Sequence, residues 1–318
     1  MISLLPQTRV SQVRPLAHFV LGMLWAGRVS PRAVAAALPL AVADASTEQR
    51  LRRWLVNERV QVDRLWRTLP VAWRVLPQQT AWPQPQIVHL QAMFTEGAAA
   101  LPPGCTVTVM GDRGLPRAEV IDACRAVGWE ALFRLSADAR QGHRVRLADG
   151  QVRPLWELVS GPGQRWSGPV EVFKAAGWRT GELTIRWDRG QTEPWRLVST
   201  RPGGAARVRE YRRRAHAEAT YAECKQRGWH IEASRITALE RLARLLLVRH
   251  LALWWSTQLG LGAIRRGERW WYDRRGPRAL SVIRIGRAAL ADILDRQLTV
   301  PPLPFRRTAS GFVFTWLA

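Results

Sequence analysis

The tightest constraint on how this chain can fold lies between residues 102 and 136. A β-branched run, Thr106 to Met110, is opened by the turn Pro102-Pro103-Gly104 and closed by Gly111-Asp112-Arg113-Gly114. Arg117 to Val127 then reads as a helix, and Trp129 to Ser136 (WEALFRLS) as a second strand. Short β-branched runs bounded by Gly and Pro read as strands. Strand and helix in alternation commit a chain to an α/β sheet, in which ligands gather at the carboxyl ends of the strands. Asp112 stands at such an end.

The flanks have different textures. From Val13 to Leu55 apolar residues recur at helical spacing, broken at Gly27 to Pro31 and at Ala43 to Ser46. Ser30 before Pro31 is an N-cap and first-turn pair, so a helix is predicted to start there and run through Val34 to Leu38. Short helices joined by tight turns, with Arg50, Arg52 and Arg53 among them, fit a helix-turn-helix that docks on DNA; a plain helical hairpin fits as well. VAWRVL, just after Leu69, suggests a short strand, and QIVHLQAMFTEGAAAL a helix. From 143 to 203 the chain is a series of β-prone pieces punctuated by Gly and Pro, read as a β-rich insertion. After Gly204 it turns helical, through Gln226 and again from Ile236 to about Leu259. The expected division is a helical module over 1–66, the first part of an α/β core over 67–142, the insertion over 143–203, and a helical part over 204–318.

Charge narrows the partner. With 48 Lys+Arg against 25 Asp+Glu, the formal net charge is +23. Nearly all the cations are arginine, whose planar fork suits bidentate phosphate contacts. They are spread through folded-looking segments and not gathered beside an apolar span, which favours nucleic acid over a membrane surface. The stretch Leu242 to Trp255 is interrupted by Arg244, Arg249 and His250 and reads as a buried helix. Cys105, Cys124 and Cys224 have neither zinc nor disulfide spacing, and no leader is read at the start, so a reducing cytoplasm is expected. His18, His89, His143, His216, His230 and His250 show no ligand spacing.

In the helix from about Ala205 to Gln226, Tyr211, Arg214, Glu218 and Lys225 are spaced by three, four and seven residues. At about 100° per residue they fall within an arc of about 60°. A carboxylate between two cations and a phenol on one face suits metal holding with phosphate contacts beside it. A solvated basic helix with an Arg214–Glu218 pair accounts for the spacing equally well.

This spacing, Y-x2-R-x3-E-x6-K, matches the signature of the DDE transposases of bacterial insertion sequences, of the IS-four type. VMGDRG resembles that family's segment with the second aspartate, and ALFRLSADAR its following strand. RGWHIEASRITALERLARLLLVRHLALWW and LSVIRIGRAAL are similar to its later helices. The resemblance spans most of the chain from Leu69 onward. It implies a ribonuclease-H-like core with a β-rich insertion and an N-terminal helical DNA-binding module. The implied activity is cleavage and strand transfer at the ends of a transposon, with double-stranded DNA as partner, a homodimer to pair the ends, a nucleoid-associated location and no small-molecule substrate. It implies Asp112 and Glu218 as catalytic metal ligands for Mg²⁺ or Mn²⁺, and Tyr211, Arg214 and Lys225 as phosphate contacts. Arg113, beside Asp112, is either a further phosphate ligand or a salt bridge that positions Asp112. Trp156, Trp166, Trp178, Trp187 and Trp195 include candidate stacking platforms, most of them expected in the core.

The chain departs from the family at one place. The strand with the first aspartate and the one after it are missing: LRRWLVNERVQVDRLW runs directly into RTLPVAWRVLP, which resembles the end of the family's third strand. Asp63 is the nearby carboxylate, and VQVDRLW reads as the close of the helical module. An internal deletion near Trp66 would leave two catalytic carboxylates in place of three, open a sheet edge and impair cleavage. The alternatives are a catalytically inactive DNA-binding remnant and a nuclease of the same fold; the Tyr211 to Lys225 stripe argues against the nuclease.

Overall fold

The computed structural model describes residues 10–58, 76, 82, 84–101, 104–136, 143–215, 218, 229–299, 305–308 and 311–314. They form two compact units: one holds the N-terminal and C-terminal helices, the other the sheet with the helices between them in sequence.

The helical unit opens with α1 (Val10–Ala26), α2 (Pro31–Ala37) and α3 (Asp44–Val56); the first predicted break separates α1 from α2, whereas the second falls at 38–43, ahead of the expected Ala43 to Ser46, which lies largely in the first turn of α3. The Ser30 side chain accepts from the Ala33 amide at 3.2 Å, with Pro31 at the first helical position. Helix α3 buries Thr47, Leu51, Trp54 and Leu55, spaced by four, three and one, and leaves Arg50, Arg52 and Arg53 exposed around the rest of its surface. The Trp54 indole donates to the Gln12 carbonyl at 2.9 Å, tying α3 to α1.

The later part of the unit is built from α7 (Leu239–Arg265), the single turn α8 (Arg269–Tyr272) and α9 (Val282–Asp295); β8 (Phe305–Thr308) and β9 (Gly311–Phe314) pair as an antiparallel ribbon. Arg244, buried in α7, donates to the Leu55 carbonyl at 2.9 Å, where the end of α3 leaves carbonyls without helical partners. Helices α7 and α9 meet backbone to backbone: a Cβ added to Gly260 would lie 2.0 Å from the Val282 carbonyl oxygen, and one added to Gly286 only 1.7 Å from that of Ser256. Among the described residues, no helix is long and apolar enough to cross a membrane.

The second unit contains α4 (Gln86–Ala100), β1 (Thr108–Gly111), α5 (Ala118–Ala126), β2 (Glu130–Arg134), β3 (Arg144–Leu147), β4 (Val152–Pro154), β5 (Arg165–Val172), β6 (Arg179–Arg186), β7 (Trp195–Ser199) and α6 (Ala205–Arg212). The strands form one mixed sheet in the order β1-β2-β7-β6-β5-β3-β4. Among the described residues only β1 and β2 are parallel, joined by a crossover through α5, as the alternating pattern predicts. The segment read as a β-rich insertion supplies β3 to β7. These strands do not form a sheet of their own: β7 pairs antiparallel with β2, so they extend the same sheet.

Strand β2 shows how both faces are covered. Ala131 and Phe133 point into a core with Phe94 of α4 and Val120, Ile121 and Cys124 of α5, together with Leu183, Ile185 and Val198. Leu132 points the other way, onto Leu197, Val208 and Tyr211. Strand β1 is different. It is an edge, its first three residues are half-buried, and β2 is its only strand partner among the described residues. The segment expected to carry the short strand after Leu69 lies outside the described residues.

Candidate active site

Pairing of Gly111 with Phe133 sets β1 and β2 level, so Asp112 and Arg134 emerge together from the carboxyl ends of two parallel strands. Strand β7 runs the opposite way, with Leu197 opposite Arg134, so its first residues, Trp195 and Arg196, reach the same end of the sheet. Helix α6 lies over this end on Val208 and Tyr211.

Tyr211 is only 4% exposed, and its hydroxyl donates to the Gly111 carbonyl at 3.1 Å. Its ring meets Trp195 edge-on, with centroids 5.4 Å apart. Burial pushes its hydroxyl pKa up, against the opposing charges of Arg214 and Arg134. A second bond joins the same helix to β1, the Thr108 hydroxyl donating to the Glu210 carboxylate at 2.8 Å.

Past Arg212 the helix tightens. The Arg213 and Arg214 amides donate three residues back, to Glu210 and Tyr211. Arg214 then reaches in two directions: one guanidinium nitrogen donates to Glu218 at 2.6 Å, another to Asp112, 102 residues earlier in sequence, at 3.2 Å. An i,i+4 pair on a solvated helix explains the first contact only. The two carboxylates thus share one cation at the strand ends. The side chains of Asp112 and Glu218 are 61% and 63% exposed, and Asp112 Oδ1 also accepts from the Gly114 amide at 3.1 Å.

These are hard oxygen donors open to solvent around a position that already carries positive charge. The pair suits one hydrated divalent cation in exchange for the guanidinium, since Mg²⁺ is commonly held through one or two carboxylates and keeps several waters. Among the described residues no group of three or more His, Cys, Asp or Glu converges on a metal position. Among the described residues, the donor set therefore fits one ion.

Beside the pair lies a basic cluster of which sequence reasoning found only Arg113. Arg113 and Arg134 both donate to Glu193, Arg134 at 2.8 Å. Arg113 thus bridges to Glu193. Arg196 is 8% exposed; burial lowers its pKa, the charge of Glu193 raises it, and Arg113 and Arg134 lower it further. The Nε atoms of Arg134 and Arg196 are buried with no hydrogen-bond partner among the described residues. Burial alone would raise the Glu193 pKa, but the Arg113 hydrogen bond and the charges of Arg134 and Arg113 bring it down. One carboxylate among three guanidiniums leaves a surplus of positive charge next to Asp112. The signal for Arg134 was its place at the end of a strand parallel to the one that ends in Asp112; nothing local marked Glu193 or Arg196.

Lys225 and Asp63 lie outside the described residues. Of the five tryptophans singled out, Trp166 packs against the sheet core and Trp195 against Tyr211. Trp187 donates to the Gln191 carbonyl, Trp178 carries the Arg146 guanidinium 4.5 Å above its ring, and Trp156 is exposed.

Residues 88–255, more than half of the chain, match the family described as Transposase DDE domain. No curated protein matches the chain.

Proposed function

Because the chain belongs to the transposase DDE-domain family, we propose that it is a DNA transposase by descent, of the insertion-sequence type with the Tyr-Arg-Glu-Lys signature, whose strand cleavage is impaired by loss of the first catalytic aspartate. The observation that carries this reading is the meeting of Asp112 and Glu218 on the single guanidinium of Arg214, at the carboxyl ends of the parallel strands β1 and β2.

Within a ribonuclease-H-like core, Asp112 and Glu218 are the metal ligands. A bound Mg²⁺ or Mn²⁺ supplies Lewis-acid polarisation of the scissile phosphate. The chain's own groups do the rest: Arg214, Arg113 and Arg134 hold the phosphates on either side, and Tyr211 fixes the strand end beneath Asp112 through Gly111. Lys225 is assigned to the same phosphate track by its place in the signature. The helices α1 to α3, with Arg50, Arg52 and Arg53 outward, are the DNA-binding module, and pairing of two transposon ends calls for a homodimer in the nucleoid.

Two observations support the loss. Among the described residues, strand β1 is the sheet edge, where an opening strand with the first aspartate would pair, and no group of three or more His, Cys, Asp or Glu converges at its end on a metal position. The same observations favour a second reading, a catalytically inactive remnant that still binds DNA.

The deciding experiment is divalent-metal-dependent cleavage of DNA carrying the parent element's ends by three proteins: this chain, its Glu218→Ala variant, and a version with the missing strands restored from a close relative. Cleavage by the restored version alone is expected. Cleavage by this chain that Glu218→Ala abolishes would overturn the deletion reading and point to Asp63. DNA binding that did not weaken as salt rises would overturn the phosphate-binding reading.

A further inference from the structure

The turn between α7 and α9 carries an arrangement that the carboxylate site does not use. Trp270 and Trp271 are adjacent in α8 and each is 52% exposed, although indoles are among the largest apolar groups a chain can bury. Their rings stand edge-on, with centroids 5.6 Å apart at 81°, and Tyr272 continues the series at 6.4 Å from Trp271. The Arg275 guanidinium lies 5.7 Å from the Trp270 ring centre.

The charge around these rings is one-sided. Arg265, Arg274, Arg275 and Arg278 are exposed. The nearby carboxylates are engaged internally. Glu268 takes two bonds from Arg266, at 2.8 and 2.6 Å. The Asp273 side chain is almost fully covered and accepts from the amides of Arg274 and Ala279. Asp292 accepts from the Tyr272 hydroxyl and from Arg296. The surface therefore offers flat apolar faces and guanidiniums together, with its anions turned inward.

We propose that the Trp270–Trp271 turn binds unpaired nucleotides of a DNA strand, its rings stacking on bases while Arg274, Arg275 and Arg278 hold the flanking phosphates. Aromatic faces interleaved with arginine are the chemistry of single-strand binding, where every base offers a π-face and the backbone a charge every nucleotide. A duplex interior is a poor fit, because each base there is covered on both faces by its neighbours. Two rings nearly perpendicular to each other match a strand whose bases are splayed, as at a frayed end or an extruded nucleotide. A protein partner of ordinary charge would leave the four guanidiniums uncompensated. The proposal stands on residues remote in sequence from Asp112 and Glu218 and requires no cleavage activity.

The test uses the full chain and fluorescence anisotropy with two labelled probes, a fifteen-nucleotide oligothymidylate and a blunt duplex of the same length. The variants are Trp270→Ala with Trp271→Ala, Trp270→Phe with Trp271→Phe, Arg274→Gln with Arg275→Gln, and Val88→Ala as an exposed apolar residue elsewhere. The double alanine variant is expected to lose about tenfold or more in single-strand affinity, in line with stacking losses seen on alanine substitution, with less than about threefold change on duplex. The phenylalanine pair, which keeps the rings, should retain most of the binding and Val88→Ala all of it; the arginine pair should weaken both probes and reduce the salt dependence. In the double alanine variant, equal losses on both probes, no loss on either, or loss confined to concentration-dependent self-association would overturn the proposal. Because the phenylalanine pair keeps an aromatic face at both positions, its retention separates lost stacking from a misfolded turn.

Discussion

Tyr211 and Gly111 are joined by a buried hydrogen bond, phenol to carbonyl, at 3.1 Å, one residue before Asp112. The Gly111 carbonyl ends an edge strand, and the bond anchors that strand to α6 from above. Tyr211→Phe leaves the carbonyl buried without its partner, so a loss of about 1–3 kcal/mol in unfolding free energy is expected, readable by urea denaturation. An unchanged midpoint would show that the strand end is held by other contacts.

Arg214 occupies the position a cation needs between Asp112 and Glu218. Replacing it with alanine removes a competing positive charge, and Arg214→Ala is expected to bind Mn²⁺ about tenfold more tightly than the parent chain, a difference of about 1.4 kcal/mol, while losing DNA affinity. Electron paramagnetic resonance titration of Mn²⁺ measures the first effect and anisotropy with duplex DNA the second. Weaker Mn²⁺ binding in the variant would mean that the guanidinium organises the two carboxylates instead of excluding the ion.

The crossing of α7 and α9 leaves no space for a methyl group. In Gly286→Ala the new Cβ meets the Ser256 carbonyl oxygen at 1.7 Å, and backbone cannot swing aside as a side chain does. A loss of about 2 kcal/mol or more is expected, visible as a lower thermal midpoint. Gly262→Ala, whose new Cβ would meet only the flexible end of Arg266 at 3.1 Å, serves as the mild control on the same helix.

His250 sets a pH limit on stability. Burial, then the charge of Arg249, pushes its pKa down to about 4, against the effect of its bond to the Leu246 carbonyl at 2.8 Å. Unfolded, the ring titrates near 6.5, so between about pH 6.5 and 4 the unfolded chain binds the proton and the folded chain does not. Stability is full above that window and falls as pH drops through it, by roughly 2–3 kcal/mol at the acid end. His250→Gln should flatten that part of a stability-versus-pH curve; an unaltered slope would move the acid sensitivity to other groups.

Much of the fold was legible because it is local. The Ser30 cap, the β-branched run into Asp112 and the helix between two parallel strands each depend on residues close in sequence, and each formed within a few residues of the expected bounds. Glu193 and Arg196 were not legible, because their meaning depends on β7 returning beside β2 from about sixty residues away. Tyr211, which the family resemblance implies as a phosphate contact, is buried and donates to the Gly111 carbonyl because the helix packs that side on Leu132 and Leu197. Spacing on a helix fixes which side chains share a face, and only the sheet beneath decides what that face meets.

The sheet also carries a clock. Strands β5, β6 and β7 follow one another as antiparallel neighbours, and β3 turns directly into β4, so this arm closes through short loops. The pairs β1–β2 and β2–β7 must wait for a crossover and for a distant return of the chain. Loop-closure entropy makes such pairings late in folding. Strand β1, which leads into Asp112, is therefore expected to assemble late and open early, and its amides should exchange with solvent hydrogen ahead of those in the hairpin arm.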